Sequence, residues 1–408
     1  MSNRYYPRCV NQSTSISYKL QYVNETFPIL NIDTDRGRPN RFDSKINIDV
    51  PFLLDYSSLE KCSKLFTKQE YDASPHKHVM WGFYRSYAYY CLDAIEILKL
   101  HLNSSDTSIF YPFIVRIGDT LTHSRTVPII SKFRMSAETV ESFNQVTSFE
   151  SSCLKDDQYR YLKVVTRAVD VNHDWDSYYW KSLPYYQPIV WNLNSERHFG
   201  RDLHRMRVKD IPWEMKSLGA KWMGNMNGGP PAPLPKEMST LDICLVNARC
   251  RFVYQTRKST LIDAKLYQSP YWATNDIVLD GYPLFGNRTS WEEMLKFKVV
   301  LSLEGNDVSS SLKWNLLSNS VVMMPPPTAT SWLMEERLEP WVHYIPIKED
   351  GSDAEEKMQW VGANDLEARR IAERGMLFMY DLLYHPDAKM EDILVKKEIL
   401  RRYRQFWT

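Results

Sequence analysis

The stretch LSLEGNDVSSSLKWNLLSNSVVMMPPP, residues 301–327, decides how this chain is read. The apolar residues Val299, Val300, Leu301 and Leu303 run into Gly305-Asn306-Asp307. Ser309, Ser310 and Ser311 follow, then a helical spacing through Leu312, Leu316 and Leu317. A second apolar run, Val321 to Met324, stops at Pro325-Pro326-Pro327. The pattern predicts strand, tight turn, helix, strand. A turn of this kind leaves serine hydroxyls and backbone N–H groups at a helix start. Those N–H groups have no carbonyl partner within the helix, and the axis dipole is positive there, so an anionic group is favoured. Gly305 allows close backbone approach to a ligand. Ser309 and Ser310 are expected to cap the helix and donate to phosphate oxygens. Lys313, one turn in, is expected to add positive charge. A phosphate-bearing ligand is the first expectation, although an ordinary capped helix after a strand has the same local pattern. The P-loop pattern G-x-x-x-x-G-K-[ST] is absent.

Outward from this unit, the downstream half is regular. Helices are predicted over 241–254, 291–297, 353–361, 366–383 and 391–403, with Gly375 a weak point inside the fourth. Strands are predicted over 260–264 and 341–347. Upstream, a long aromatic-rich helix is expected over 78–101, a strand over 109–117 ended by Gly118-Asp119, a short strand at 129–130 and a short helix over 138–145. The cluster NGGPPAPLP, residues 227–235, is the strongest breaker in the chain and reads as an interdomain connection or an active-site loop. Strands alternating with helices argue an α/β fold with a parallel sheet covered on both faces. Ligands of such sheets bind beyond the carboxyl ends of the strands, where residues 305–311 fall.

Bulk properties narrow the function. A hydrophobic content of 43% over 408 residues supports real cores, and a formal net charge of +1 gives no global field to recruit nucleic acid or an anionic membrane. The basic run RHFGRDLHRMRVK, residues 197–209, is interrupted by Asp202 and flanked by Glu196 and Asp210. It reads as a solvated helix face, and no nucleic-acid partner is expected. The six cysteines show no C-x-x-C pair or metal-finger spacing; the even count permits disulfides without implying them, and a reducing compartment is the expectation. No segment reaches the roughly 18 consecutive apolar residues of a membrane span. With no secretory apolar core at the start, a cytoplasmic location follows as an expectation. The basic C-terminal helix carries an apolar stripe, Ile393, Leu394, Ile399, Leu400, Tyr403 and Phe406. It is expected to pack across a domain junction; peripheral contact with a membrane surface is the alternative.

Carboxylates supply the remaining chemistry. Asp119 sits just past an apolar strand, flanked by Arg116 and Arg125, where it can serve as a general base or as a plain turn aspartate. Two D-x-D tripeptides, Asp33-Thr34-Asp35 and Asp174-Trp175-Asp176, can hold a divalent ion on a nucleotide diphosphate. Neither a Ser-His-Asp order nor an H-E-x-x-H motif occurs.

The words KFKVVLSLEGNDVSSSLKW, SNSVVMMPPP, LEPWVHYIPIKEDGSDAEEKMQWV and ANDLEARRIAERG resemble glycosyltransferase family 90, which includes capsule-associated proteins, protein O-glucosyltransferases and bacterial lipopolysaccharide glycosyltransferases. FIVRIGD followed by VPIISKFR is similar to the family strand whose terminal Asp is the catalytic base, which assigns that role to Asp119. AKWMGN looks like the family strand ending in Arg-Gly, which brings Gly224 and Asn225 to the donor. The resemblance implies two facing Rossmann-like domains of GT-B type with the reaction in the cleft. The boundaries are an acceptor-side domain over 1–215, a nucleotide-sugar domain over 216–385 and a crossing helix over 386–408. It implies transfer of glucose or xylose from a UDP-sugar to a glycan or protein hydroxyl, with inversion and no metal or other cofactor. Gly305, Asn306, Asp307, Ser309, Ser310, Ser311 and Lys313 would hold the donor, with Arg116 and Arg125 on the acceptor side. Met223 and Ser311 stand where the family has arginines, and Lys313, Asn306 or an arginine of the 249–257 segment is expected to offset that loss. The alternatives are a non-catalytic nucleotide- or carbohydrate-binding relative, and a metal-dependent D-x-D transferase.

Overall fold

Five parallel strands carry the C-terminal half of the chain. In a computed structural model, which describes residues 52–54, 93, 96–97, 100, 113–115, 130–135, 188–229, 238–272 and 274–403, these strands are β1 (Ser217–Asn225), β2 (Ile262–Gln268), β3 (Phe297–Leu301), β4 (Val321–Met324) and β5 (Ile345–Pro346). Their order across the sheet is β2-β1-β3-β4-β5. All four pairings are parallel. The expectation of an α/β fold with a parallel sheet is met in this region.

Side-chain alternation explains why both faces are covered. Val299 and Leu301 of β3 join Val321 and Met323 of β4 in one core cluster. Val300, Val322 and Met324 point the other way into a second cluster. Successive residues of a strand face opposite sides, so a run that is apolar throughout requires a helix layer on each. The first cluster takes Cys250, Phe252 and Val253 of α3 (Ala248–Thr256) and Met358 and Val361 of α6 (Ala354–Ala363). The second takes Leu203 of α1 (Arg201–Lys209) and Leu312, Leu316 and Leu317 of α5 (Leu312–Leu317). Helix α7 (Asp365–Leu383) serves both, through Ala368 and Ile371 on one side and Met379 on the other.

Several element boundaries depart from expectation. The helix expected over 241–254 is two helices, α2 (Thr240–Leu245) and α3. Asn247 restarts the chain by accepting the Cys250 amide on its side chain, as an N-cap does. The helix expected over 291–297 shortens to α4 (Trp291–Met294), because Phe297 already belongs to β3. The strand expected over 341–347 contracts to β5, since Trp341 adopts a left-handed φ of 62°. Gly375 does not interrupt α7: a Cβ there would lie 2.9 Å from the His343 carbonyl oxygen, so glycine serves close packing.

The described residues divide into two compact units, one built on Phe199–His385 and the other taking in residues 7–135, 140–198 and 386–408. In the second unit, Ile130–Ser131 pairs in parallel with Phe113–Val115 and with Ile189–Val190, and Phe52–Leu54 pairs antiparallel with Phe113–Val115. Helix α8 (Ala388–Tyr403) belongs to this unit. Its buried face is Glu391, Val395, Lys396, Ile399 and Leu400, whereas Leu394 is exposed, so the expected stripe is rotated. Lys396 follows the stripe inward because its ammonium group meets Glu96 at 2.7 Å and Asp392 at 2.8 Å. Among the described residues, no helix is long and apolar enough to cross a membrane.

Candidate active site

In a sheet ordered β2-β1-β3-β4-β5, the direction of strand succession reverses between β1 and β3. The chain leaves those two neighbouring strands toward opposite faces, and ligands of open α/β sheets bind beyond the carboxyl ends at such a point. Both segments marked by the sequence converge there. Asn225 ends β1 and leads into Met226-Asn227-Gly228-Gly229, and β3 leads into the turn at Gly305.

The two exits touch. The Gly228 amide donates to Asn306 Oδ1 at 3.0 Å. Gly228 has φ of 81°, in the left-handed region, and a Cβ on it would sit 2.6 Å from the Gly305 carbonyl oxygen. Only glycine meets both demands. Arg249, near the start of α3, reaches under the contact. Its Nη1 donates to the Asn225 carbonyl at 3.0 Å, its Nη2 to Leu303 at 2.8 Å and its Nε to Glu304 at 3.0 Å. Asn247, the cap of the same helix, donates to the Met226 and Asn227 carbonyls at 3.4 and 3.2 Å. A disulfide between Cys244 and Cys250 brackets these two residues. This pair departs from the expectation of reduced thiols, and a disulfide does not favour the cytoplasmic location.

The turn itself differs in detail from the expectation. Ser311, not Ser309 or Ser310, is the N-cap of α5, and its side chain caps no amide among the described residues. Instead the Ser309 and Ser311 hydroxyls lie 2.9 Å from each other. Among the described residues, the amides of Val308, Ser309 and Ser310 have no backbone carbonyl partner. Asn306 is exposed, and Gly305, Asp307 and Ser310 are half-buried. Asn225 Oδ1 is enclosed and accepts no hydrogen bond among the described residues. Such an acceptor suits an O–H or N–H donor from a ligand.

Lys313 has an ion-pair partner of its own. Its ammonium group is fully buried, 2.7 Å from Glu335 Oε1 and 3.2 Å from Ser331 Oγ. One helical turn placed it correctly in sequence, but the direction of its side chain was set by Glu335. The charge is spent there and is not offered to the turn.

Glu304 was not singled out by the sequence. Its carboxylate accepts from the Thr328 amide at 3.2 Å, the Ala329 amide at 3.4 Å and the Thr328 hydroxyl. These bonds tie the β3 exit to the segment after β4. Burial outweighs the bonds and pushes its pKa up to about 7.

Asp119, Arg116 and Arg125 lie outside the described residues, as do Asp33, Asp35, Asp174 and Asp176. Among the described residues, no group of three His, Cys, Asp or Glu side chains forms a metal-holding set.

The strand order brings the two exits together at the reversal point of a five-stranded parallel sheet. Residues 245–403 match the family model described as Glycosyl transferase family 90. That stretch is thus similar to the family that the sequence resembles. The O-glucosyltransferase LpsA of Dichelobacter nodosus is 45% identical over 69 residues, 17% of this chain and 22% of that protein. Protein O-glucosyltransferase 1 of Homo sapiens is 28% identical over 237 residues, 56% of this chain and 52% of that protein. Protein O-glucosyltransferase 3 of Rattus norvegicus is 36% identical over 95 residues, 23% of this chain and 18% of that protein. The matches thus span about half or less of the length of these curated relatives.

Proposed function

We propose that this protein transfers a sugar from a UDP-sugar to a hydroxyl of a glycan or protein acceptor. The observation that supports this most is the meeting of Gly228 with Gly305 and Asn306 at the sheet's reversal point, in a chain whose residues 245–403 match the family 90 model. The names of the relatives point to glucose as the sugar transferred; xylose is the second choice.

In this reading the diphosphate rests on the turn from Gly305 to Ser311. Backbone N–H groups and the Ser310 hydroxyl face the charge that grows on the departing UDP. Fixed donors of this kind stabilise developing charge without reorganising, and each is worth about 10²–10³ in rate. Asn225 Oδ1 accepts from a hydroxyl or N–H of the donor. Asp119 removes the proton of the acceptor hydroxyl as its oxygen bonds to the anomeric carbon. The bond from that carbon to the phosphate oxygen breaks in the same step, and UDP leaves. A single displacement inverts the anomeric centre. No metal is needed where amides and hydroxyls do the work of a cation.

The test is a panel of nucleotide sugars assayed by release of free UDP, with and without EDTA. UDP-glucose turnover that survives chelation supports the proposal. A strong metal requirement would transfer the donor role to Asp33 and Asp35. A second reading, a sugar-nucleotide binder without turnover, draws on Met223, Ser311 and the buried Lys313, none of which offers positive charge to the turn. A binder saturates with nucleotide and releases no product.

A further inference from the structure

We propose that Arg249 is a positioning residue that holds the two strand exits in register for an anionic ligand, acting from beneath the turn and not by touching the ligand. The inference rests on the functional reading above for the identity of that ligand. Its geometry stands independently. One guanidinium spans both sides of the reversal point, with the Asn225 carbonyl on the β1 side and the Leu303 and Glu304 carbonyls on the β3 side. Asn247, by contrast, donates to the Met226 and Asn227 carbonyls, both on the β1 side. The guanidinium also packs against Gly305, where a Cβ would lie 2.9 Å from Nη2 and 3.0 Å from Cζ.

Two physical consequences follow. A carbonyl held by a hydrogen bond fixes its peptide plane, so the amide on the other side of that plane is aimed as well. Pinning the carbonyls of Leu303 and Glu304 therefore orients the amides of Glu304 and Gly305, and the Gly305 amide closes the turn by donating to the Asp307 carbonyl at 3.1 Å. The second consequence is electrostatic. Parallel strands end in carbonyl oxygens, whose partial negative charge opposes a diphosphate. A cation placed on three of them cancels that field at the site. Arg249 thereby restores, from below, part of the positive charge that Met223 and Ser311 do not provide. A lysine cannot reproduce this, since an ammonium is a point donor and lacks the planar fork that reaches three carbonyls at once.

The test compares the full-length protein with Arg249→Met and Arg249→Lys. Amide hydrogen exchange is read at residues 226–229 and 303–311, and UDP binding is measured by calorimetry with and without added guanidinium ion. The expected result is faster exchange confined to those two segments in Arg249→Met. UDP affinity should fall by about tenfold or more, with the equivalent of one lost charge-assisted contact. Guanidinium should restore part of it, and Arg249→Lys should fall between. Unchanged exchange at both segments would overturn the proposal, as would faster exchange throughout the unit, which marks a general structural role. Lost affinity that neither guanidinium nor lysine rescues would also overturn it. If the unaltered protein binds no UDP, the functional reading fails, and hydrogen exchange alone still decides whether Arg249 sets the two exits.

Discussion

Gly228 and Gly305 approach so closely that a methyl group on the first would lie 2.6 Å from the carbonyl oxygen of the second. The contact joins the ends of two neighbouring strands, β1 and β3, that the chain leaves toward opposite faces. Gly228→Ala forces both a left-handed φ on alanine and a backbone collision, at a cost of about 1–3 kcal/mol for the strain alone. We expect UDP affinity to fall by about 5- to 150-fold, the equivalent of that range. Gly281→Ala is the control. Gly281 has the same φ of 81° with nothing within 4 Å of its added Cβ, so it should lose some stability and no nucleotide affinity. Calorimetric titration of both variants checks the contrast.

Asp119→Asn should lower transfer by about 10²–10⁴, the usual worth of a general base, while leaving UDP affinity nearly unchanged. Steady-state kinetics and nucleotide titration on one sample decide it. Equal loss of both quantities would make Asp119 a structural residue.

Lys313 and Glu335 form a buried ion pair. Lys313→Met leaves the Glu335 carboxylate without its counter-charge and should destabilise the fold by about 3–5 kcal/mol. Lys313→Met with Glu335→Leu should recover most of that loss, because no charge is then left buried. Denaturant melts of the three proteins test this. A large loss of UDP affinity in the double variant, with stability recovered, would return Lys313 to the donor site.

Glu304 has a pKa of about 7 in place of 4.5. Between those values the folded protein holds a proton that the unfolded chain has released. Stability from this group is therefore full below pH 4.5 and is lost as pH rises through about 7, by at most about 3 kcal/mol. Glu304→Gln keeps an acceptor for the Thr328 amide and removes the titration. Melts from pH 5 to 8 should show a steeper decline with pH in the parent than in the variant.

Much of the second half was legible because its signals are local. The run Val321 to Met324, apolar at every position, announced a strand buried on both faces, and all four side chains are buried. The turn at Gly305 was readable because glycine, asparagine and aspartate break a strand for reasons internal to each residue. The split at Asn247 was not read, although an asparagine cap three residues before Cys250 was a signal available in the sequence. The direction of Lys313 had no such signal, since its partner Glu335 lies 22 residues on, in another element.

By itself the sequence determined the alternation of strands and helices, the two-sided burial of the sheet and the site of the turn. All three depend on periodicities of a few residues and on backbone preferences that each residue carries wherever it is placed. Tertiary structure alone decided the strand order β2-β1-β3-β4-β5, which brought two separate breaker segments into contact. It also chose Arg249 as the residue that joins those segments, bonded to carbonyls up to 55 positions away in sequence. Hydrogen-bond partners at that separation are fixed by which strands lie side by side, and no local pattern encodes that.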